Sequence, residues 1–99
     1  MLHTSGVVPT RVDGSVPDTL DEQVALVWQN ITAIVRAAHM ELTDLVSITT
    51  YVVVGEPLAP VMAARDAALN GHLVASTLIT APALAQPAWK VEIAAVAAR

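Results

Sequence analysis

Residues 45–54 read Leu45-Val46-Ser47-Ile48-Thr49-Thr50-Tyr51-Val52-Val53-Val54, and this stretch decides the fold. From Ile48 onward it is an unbroken series of β-branched and aromatic side chains, which are stiff at χ1 and pack well on a pleated surface. No regular polar alternation marks a solvent side, so the stretch is expected to be an interior strand of a sheet covered on both faces. Gly55-Glu56-Pro57 ends it.

Downstream, Leu58, Val61, Met62, Arg65 and Leu69 recur at helical spacing. Pro57 and Pro60 are tolerable only in a first turn, and Asn70-Gly71 supplies a C-cap, so a helix lies between them. Ser76 to Ala81 reads as a strand closed by Pro82, and Trp89 to Ala97 as a last strand. In that last strand Trp89, Val91, Ile93 and Ala95 fall on one face, and Lys90, Glu92, Ala94 and Val96 on the other.

Upstream, Thr19-Leu20-Asp21-Glu22 has the spacing of a capping box. Leu20, Val24, Val27, Trp28, Ile31, Ile34, Val35 and Ala38 then form one apolar stripe, with Gln23, Gln29, Asn30 and Arg36 off it. His39 stands where a left-handed C′ residue is expected. Leu2 to Val8 reads as a first strand ending at Pro9, followed by a turn region with Asp13-Gly14 and Pro17. A chain that opens inside a strand is expected to lack one further N-terminal strand of its fold.

The order strand, helix, strand, helix, strand, strand predicts one α+β domain over residues 1–99. Two helices then cover one face of a mixed sheet in a split βαβ arrangement. The composition says what happens to the other face. Hydrophobic residues are 55% and charged residues 14%, against about 25% charged in ordinary globular chains. Too few charges exist to dress a monomer, so copies of the chain are expected to cover one another.

The same arithmetic excludes several partners. Five Lys+Arg against nine Asp+Glu give a net charge of −4, and the cations Arg11, Arg36, Arg65, Lys90 and Arg99 are scattered, so no basic stripe is available for nucleic acid. With no cysteine there is neither a disulfide framework nor a thiolate ligand, and a cytoplasmic location is expected. Ala67 to Trp89 is free of charges but carries Asn70, Gly71, His72, Pro82, Gln86 and Pro87, which is not a membrane helix. Met1-Leu2-His3-Thr4 has no signal-peptide pattern.

Few residues offer chemistry. His3, His39 and His72 lie on different elements without acidic partners at ligand spacing, so no metal is expected. Ser5, Ser15, Ser47 and Ser76 stand in no nucleophile elbow, and Gly6, Gly14, Gly55 and Gly71 form no phosphate loop. Glu92, between Val91 and Ile93 in a strand, is either a proton relay in a desolvated cleft, or an edge-strand charge or a salt bridge with Lys90 or Arg99 of a neighbour. Trp28 and Trp89 read as packing residues. Tyr51 belongs either to the core or to a cleft.

Ser5-Gly6-Val7-Val8-Pro9, Asp13-Gly14, Gln23, Asn30-Ile31, Asp44-Leu45-Val46, Thr49-Thr50-Tyr51, Arg65-Asp66, Ala75-Ser76-Thr77 and Val91-Glu92-Ile93-Ala94-Ala95-Val96-Ala97 follow one another in an order that resembles the YjgF/RidA family. The resemblance spans nearly the whole chain. It implies a chorismate-mutase-like fold, a homotrimer whose sheets line a central barrel, and small-molecule clefts between subunits. Best-known members hydrolyse enamines and imines to a 2-oxo acid and ammonia without metal or organic cofactor. By this resemblance Glu92 falls at the family's glutamate, tied to the water and proton steps, and Ser5 and Gly6 fall at the cleft-lining strand. Ser76 falls at the place of the substrate-binding arginine, with Thr77 beside it. A hydroxyl cannot replace the two-pronged guanidinium that holds a carboxylate. The reading is therefore a trimer that binds a small carbonyl, enamine or imine compound and works poorly on 2-imino acids. The alternative is a deaminase that uses Glu92 and a cleft water, with Ser5, Ser76 or Thr77 as substrate hydrogen-bonding groups.

Overall fold

The computed structural model describes residues 1–99. In chain order they form β1 (Leu2–His3), α1 (Leu20–Ala37), a 3-10 turn (Leu42–Asp44), β2 (Leu45–Val53), α2 (Ala59–Leu69), β3 (Ala75–Ala81) and β4 (Val91–Ala97). The sheet order is β1-β4-β2-β3, with β2 and β3 parallel and the other pairs antiparallel. This is the α+β arrangement of a mixed sheet under two helices.

Local chemistry sets the boundaries. Thr19 caps α1 by accepting from the Glu22 amide at 3.2 Å, while its hydroxyl donates to the Glu22 carboxylate at 2.9 Å. The box thus closes through two side chains rather than through the Thr19 amide. His39 ends α1 at φ 60, and Asn70 ends α2 at φ 47, both where a left-handed residue lets the chain turn back onto the last carbonyls. In the Asp13-Gly14 turn, the Ser15 hydroxyl and then its amide donate to the Asp13 carboxylate, which holds that acid below its usual range.

One cluster of sixteen buried apolar residues makes the core. Val24, Val27, Trp28, Ile31 and Val35 come from α1, and Val61 and Leu69 from α2. The sheet presents Leu45, Ile48, Val52, Val91, Ile93, Ala95 and Ala97 to them. Ile34 and Ala38, expected on the α1 stripe, are exposed instead. Gln23, expected off it, is 1% exposed. Its amide donates to the carbonyls of Pro17 and Ala88, and its Oε1 accepts from the Lys90 amide, each at 2.9 Å. That last bond takes the Lys90 amide out of the ladder, and β4 runs from Val91 and not from Trp89.

Within the chain only one face of β2 is covered. Leu45, Ile48, Thr50 and Val52 are buried, whereas Ser47, Thr49, Tyr51 and Val53 are half-buried on the side away from the helices. Residues of β3 and β4 in register with them, Ala75, Thr77, Ile79 and Ala81 and then Glu92, Ala94 and Val96, complete this open face.

The first strand departs most from expectation. Leu2 and His3 pair with Ala97 and Val96, yet Val7 pairs with Ile93. Four steps along the first segment are thus matched by three along β4, a one-residue bulge over Ser5 and Gly6. At the bulge Thr4 takes the Ala95 amide on its hydroxyl at 2.9 Å.

Candidate functional site

The bulge and the middle of β4 meet at Glu92. Along β4 the side chains alternate strictly, so Glu92 lies on the open face while Val91 and Ile93 lie in the core. Its carboxylate is seated over Gly6. A Cβ added at Gly6 would overlap Oε2 and stand 2.6 Å from Cδ. Gly6 is not among the glycines at positive φ, so the position needs glycine for space rather than for backbone freedom.

Within the chain no cation pairs with Glu92. Lys90 pairs with Glu56 at 3.5 Å and Arg99 with Asp44 at 3.9 Å. Of the remaining arginines, Arg36 pairs with Glu41 at 3.3 Å and Arg65 with Asp66 at 3.0 Å, both on the helical layer. Arg11 donates to Ser15 in the loop before α1. No arginine of the chain shares the open face with Glu92. What shares it is a set of hydroxyls: Tyr51 opposite Glu92, Thr49 opposite Ala94, and Thr77 opposite Thr49.

Register separates the two β3 residues singled out from sequence. Thr77 pairs with Thr49 and so faces the same side as Glu92. Ser76 pairs with the buried Ile48 and faces α2, where it lines a cavity of about 270 Å³ with Arg65, Asp66 and His72. Ser5 is exposed at the bulge and, with Gly6, Arg11 and Asn30, borders a cavity of about 390 Å³. Asn30 braces that cavity by donating to the carbonyls of Val8 and Thr10 at 3.1 and 3.2 Å. Glu92, Gly6, Ser5 and Thr77 therefore lie on or beside one surface, and Ser76 lies behind it. Tyr51, left open between core and cleft in the sequence, belongs to that surface. Its face could be read only from the register with β4, because every neighbour in residues 48–54 is a β-former.

A lone carboxylate among hydroxyls on a sheet face can accept or deliver one proton and orient one water. It offers nothing to neutralise a second anion. No cluster of three metal-ligating side chains exists, and no helix is long and apolar enough to cross a membrane.

The model of the family Endoribonuclease L-PSP matches residues 1–99. No curated protein matches the chain. Among solved structures, YyfB of Yersinia pestis, a Rid-family protein of unknown function, is 33% identical with a TM-score of 0.91, over 97% of this chain and 76% of its own. The YjgF gene product of E. coli is 31% identical with a TM-score of 0.89, over 98% and 79%. E. coli TdcF, solved with bound serine, is 25% identical with a TM-score of 0.90, over 98% and 79%. With the family model matched from the first residue to the last, and relatives above 30% identity sharing the same sheet and helices, the chain belongs to the endoribonuclease L-PSP family, the group of the Rid and YjgF proteins.

Proposed function

We propose that this protein acts as a homotrimer that binds a small carbonyl, enamine or imine compound in clefts formed where one copy covers the open face of another. The observation that carries this reading is the Glu92 carboxylate, seated on Gly6 and unpaired with any cation of its own chain, on a face whose other polar groups are hydroxyls. Such a site suits a neutral or cationic ligand. A 2-imino acid would bring its own carboxylate to Glu92 with no arginine on the sheet face to hold it. TdcF with serine in its structure supports small amino-acid-like compounds as the size class of ligand in this family.

Where the bound compound is an imine, Glu92 has a defined step. The carboxylate takes a proton from a cleft water as the water oxygen bonds to the imine carbon and the C=N electron pair moves to nitrogen. The same proton then passes to the nitrogen. Glu92 then carries the carbinolamine hydroxyl proton to the nitrogen, the C=O bond forms as the C–N bond breaks, and ammonia leaves. General acid–base help of this kind is worth about 10²- to 10⁴-fold.

The test compares two imines under semicarbazide trapping: one released by a flavin amine oxidase from propylamine, which carries no carboxylate, and one released by an amino acid oxidase from alanine. The expected result is faster loss of the propylamine-derived imine, abolished by Glu92→Gln. Strong acceleration of the alanine-derived imine alone would overturn the reading. Two variants probe the missing guanidinium. Thr77→Arg adds one on the face of Glu92 and is expected to shift preference toward the alanine-derived imine, whereas Ser76→Arg points toward α2 and is expected not to.

A further inference from the structure

Tyr51 is the residue directly opposite Glu92 in the β2–β4 register, with Ile79 of β3 on its other side. Val53, two residues on, donates its amide to the Lys90 carbonyl at 3.0 Å. Amides alternate in direction along a strand, so the Tyr51 amide also points at β4 and the Tyr51–Glu92 pair is of the hydrogen-bonded kind, with Cα atoms about 5.5 Å apart and side chains side by side. The Glu92 carboxylate does not lean toward the phenol. It leans the other way, across the next strand gap and onto Gly6. Both side chains are rooted on adjacent strands, and only the carboxylate end of Glu92 is carried toward the next segment, onto Gly6. The carboxylate is thereby turned away from the phenol on a face that the two groups share.

We propose that the Tyr51 hydroxyl is the second polar contact of the site, donating to the carbonyl oxygen or imine nitrogen of a compound held between it and Glu92. This rests on the reading of Glu92 given above and deepens it: a phenol donor and a carboxylate acceptor on one sheet face select a neutral group with one acceptor atom and one reactive carbon. A phenol can grip such an acceptor without the counter-charge that a carboxylate ligand would demand. The hydroxyl binds and orients; the proton steps stay with Glu92.

The chain contains a single tyrosine, so its ring gives one signal in a protein labelled with ring-¹³C tyrosine. The experiment titrates acetamide, a neutral carbonyl probe, into the intact assembly while following the Tyr51 ring and the Gly6 amide. It then measures turnover of the propylamine-derived imine by wild type, Tyr51→Phe and Glu92→Gln. The expected result is a saturable shift of both signals with one midpoint. Tyr51→Phe is expected to raise KM about 3- to 10-fold, the scale of one lost neutral hydrogen bond, with kcat nearly unchanged. Glu92→Gln is expected to lower kcat about 10²-fold. Tyr51→Phe keeps the ring and the register, so its fold is preserved. If the Gly6 amide moves and the Tyr51 ring does not, or if Tyr51→Phe matches wild type while Glu92→Gln is impaired, the role of Tyr51 is overturned and that of Glu92 stands. If neither signal moves, or Glu92→Gln turns over as fast as wild type, the reading of the site falls and takes this inference with it.

Discussion

Glycine at position 6 and glutamate at position 92 are one feature seen from two strands. A side chain at 6 would occupy the space of the Glu92 carboxylate, and what it meets is the far end of a flexible side chain rather than backbone. Gly6→Ala is therefore expected to leave the fold in place, with a melting temperature within a few degrees of wild type, while swinging the carboxylate off its seat. Turnover of a carboxylate-free imine is expected to fall about 10²-fold, close to the loss in Glu92→Gln. The double variant is expected to be no slower than either single one, because both remove the same positioned group. Rates that multiply in the double variant, or a Gly6→Ala protein that melts far below wild type, would show that Gly6 serves the backbone and not the carboxylate.

At the scale of elements, Gln23 ties three segments together. Its amide reaches the loop before α1 through Pro17 and the loop before β4 through Ala88, and its oxygen fixes the Lys90 amide where β4 starts. Gln23→Leu fills the same space and strands two carbonyls and one amide. The expected loss is about 2–3 kcal/mol, which for a chain of this length lowers the melting temperature by roughly 10 °C or more; denaturation followed by circular dichroism checks it. A loss below about 0.5 kcal/mol would mean that water replaces these bonds without penalty. The elements also show what was legible. α1 and α2 could be read because their signals are local: Thr19 with Glu22 at one start, His39, Asn70 and Gly71 at the ends. The first strand could not be read past His3, because the bulge at Ser5 and Gly6 answers to Glu92, more than eighty residues away in the chain. Gln23 looked like a surface residue for the same reason, since all three of its partners lie outside α1. Glu92 itself was legible from strict alternation in β4. That Thr77 shares its face and Ser76 does not needed the pairing of β3 with β2.

For the whole molecule, the open sheet face is the unfinished surface. Ser47, Thr49, Tyr51, Val53, Ala94 and Val96 are half-buried there, Ile79 is 43% exposed, and Glu92 is the one carboxylate among these residues. A sheet face with one carboxylate among otherwise uncharged side chains is what a second copy covers well, and it is poorly suited to water. We expect light scattering to report about 31 kDa, three times the 10.3 kDa of the chain, at micromolar concentration. Thr49→Glu tests the link between assembly and site. Thr49 faces away from the core, so a carboxylate there does not enter the packing under the helices, but it would be desolvated when a second copy closes over it. The variant is expected to scatter as a smaller species with its helical circular dichroism retained and with the saturable response of the Tyr51 ring to acetamide lost. Retention of that response by a dissociated chain would mean that one copy forms the site alone, and the cleft between copies would have no part in binding.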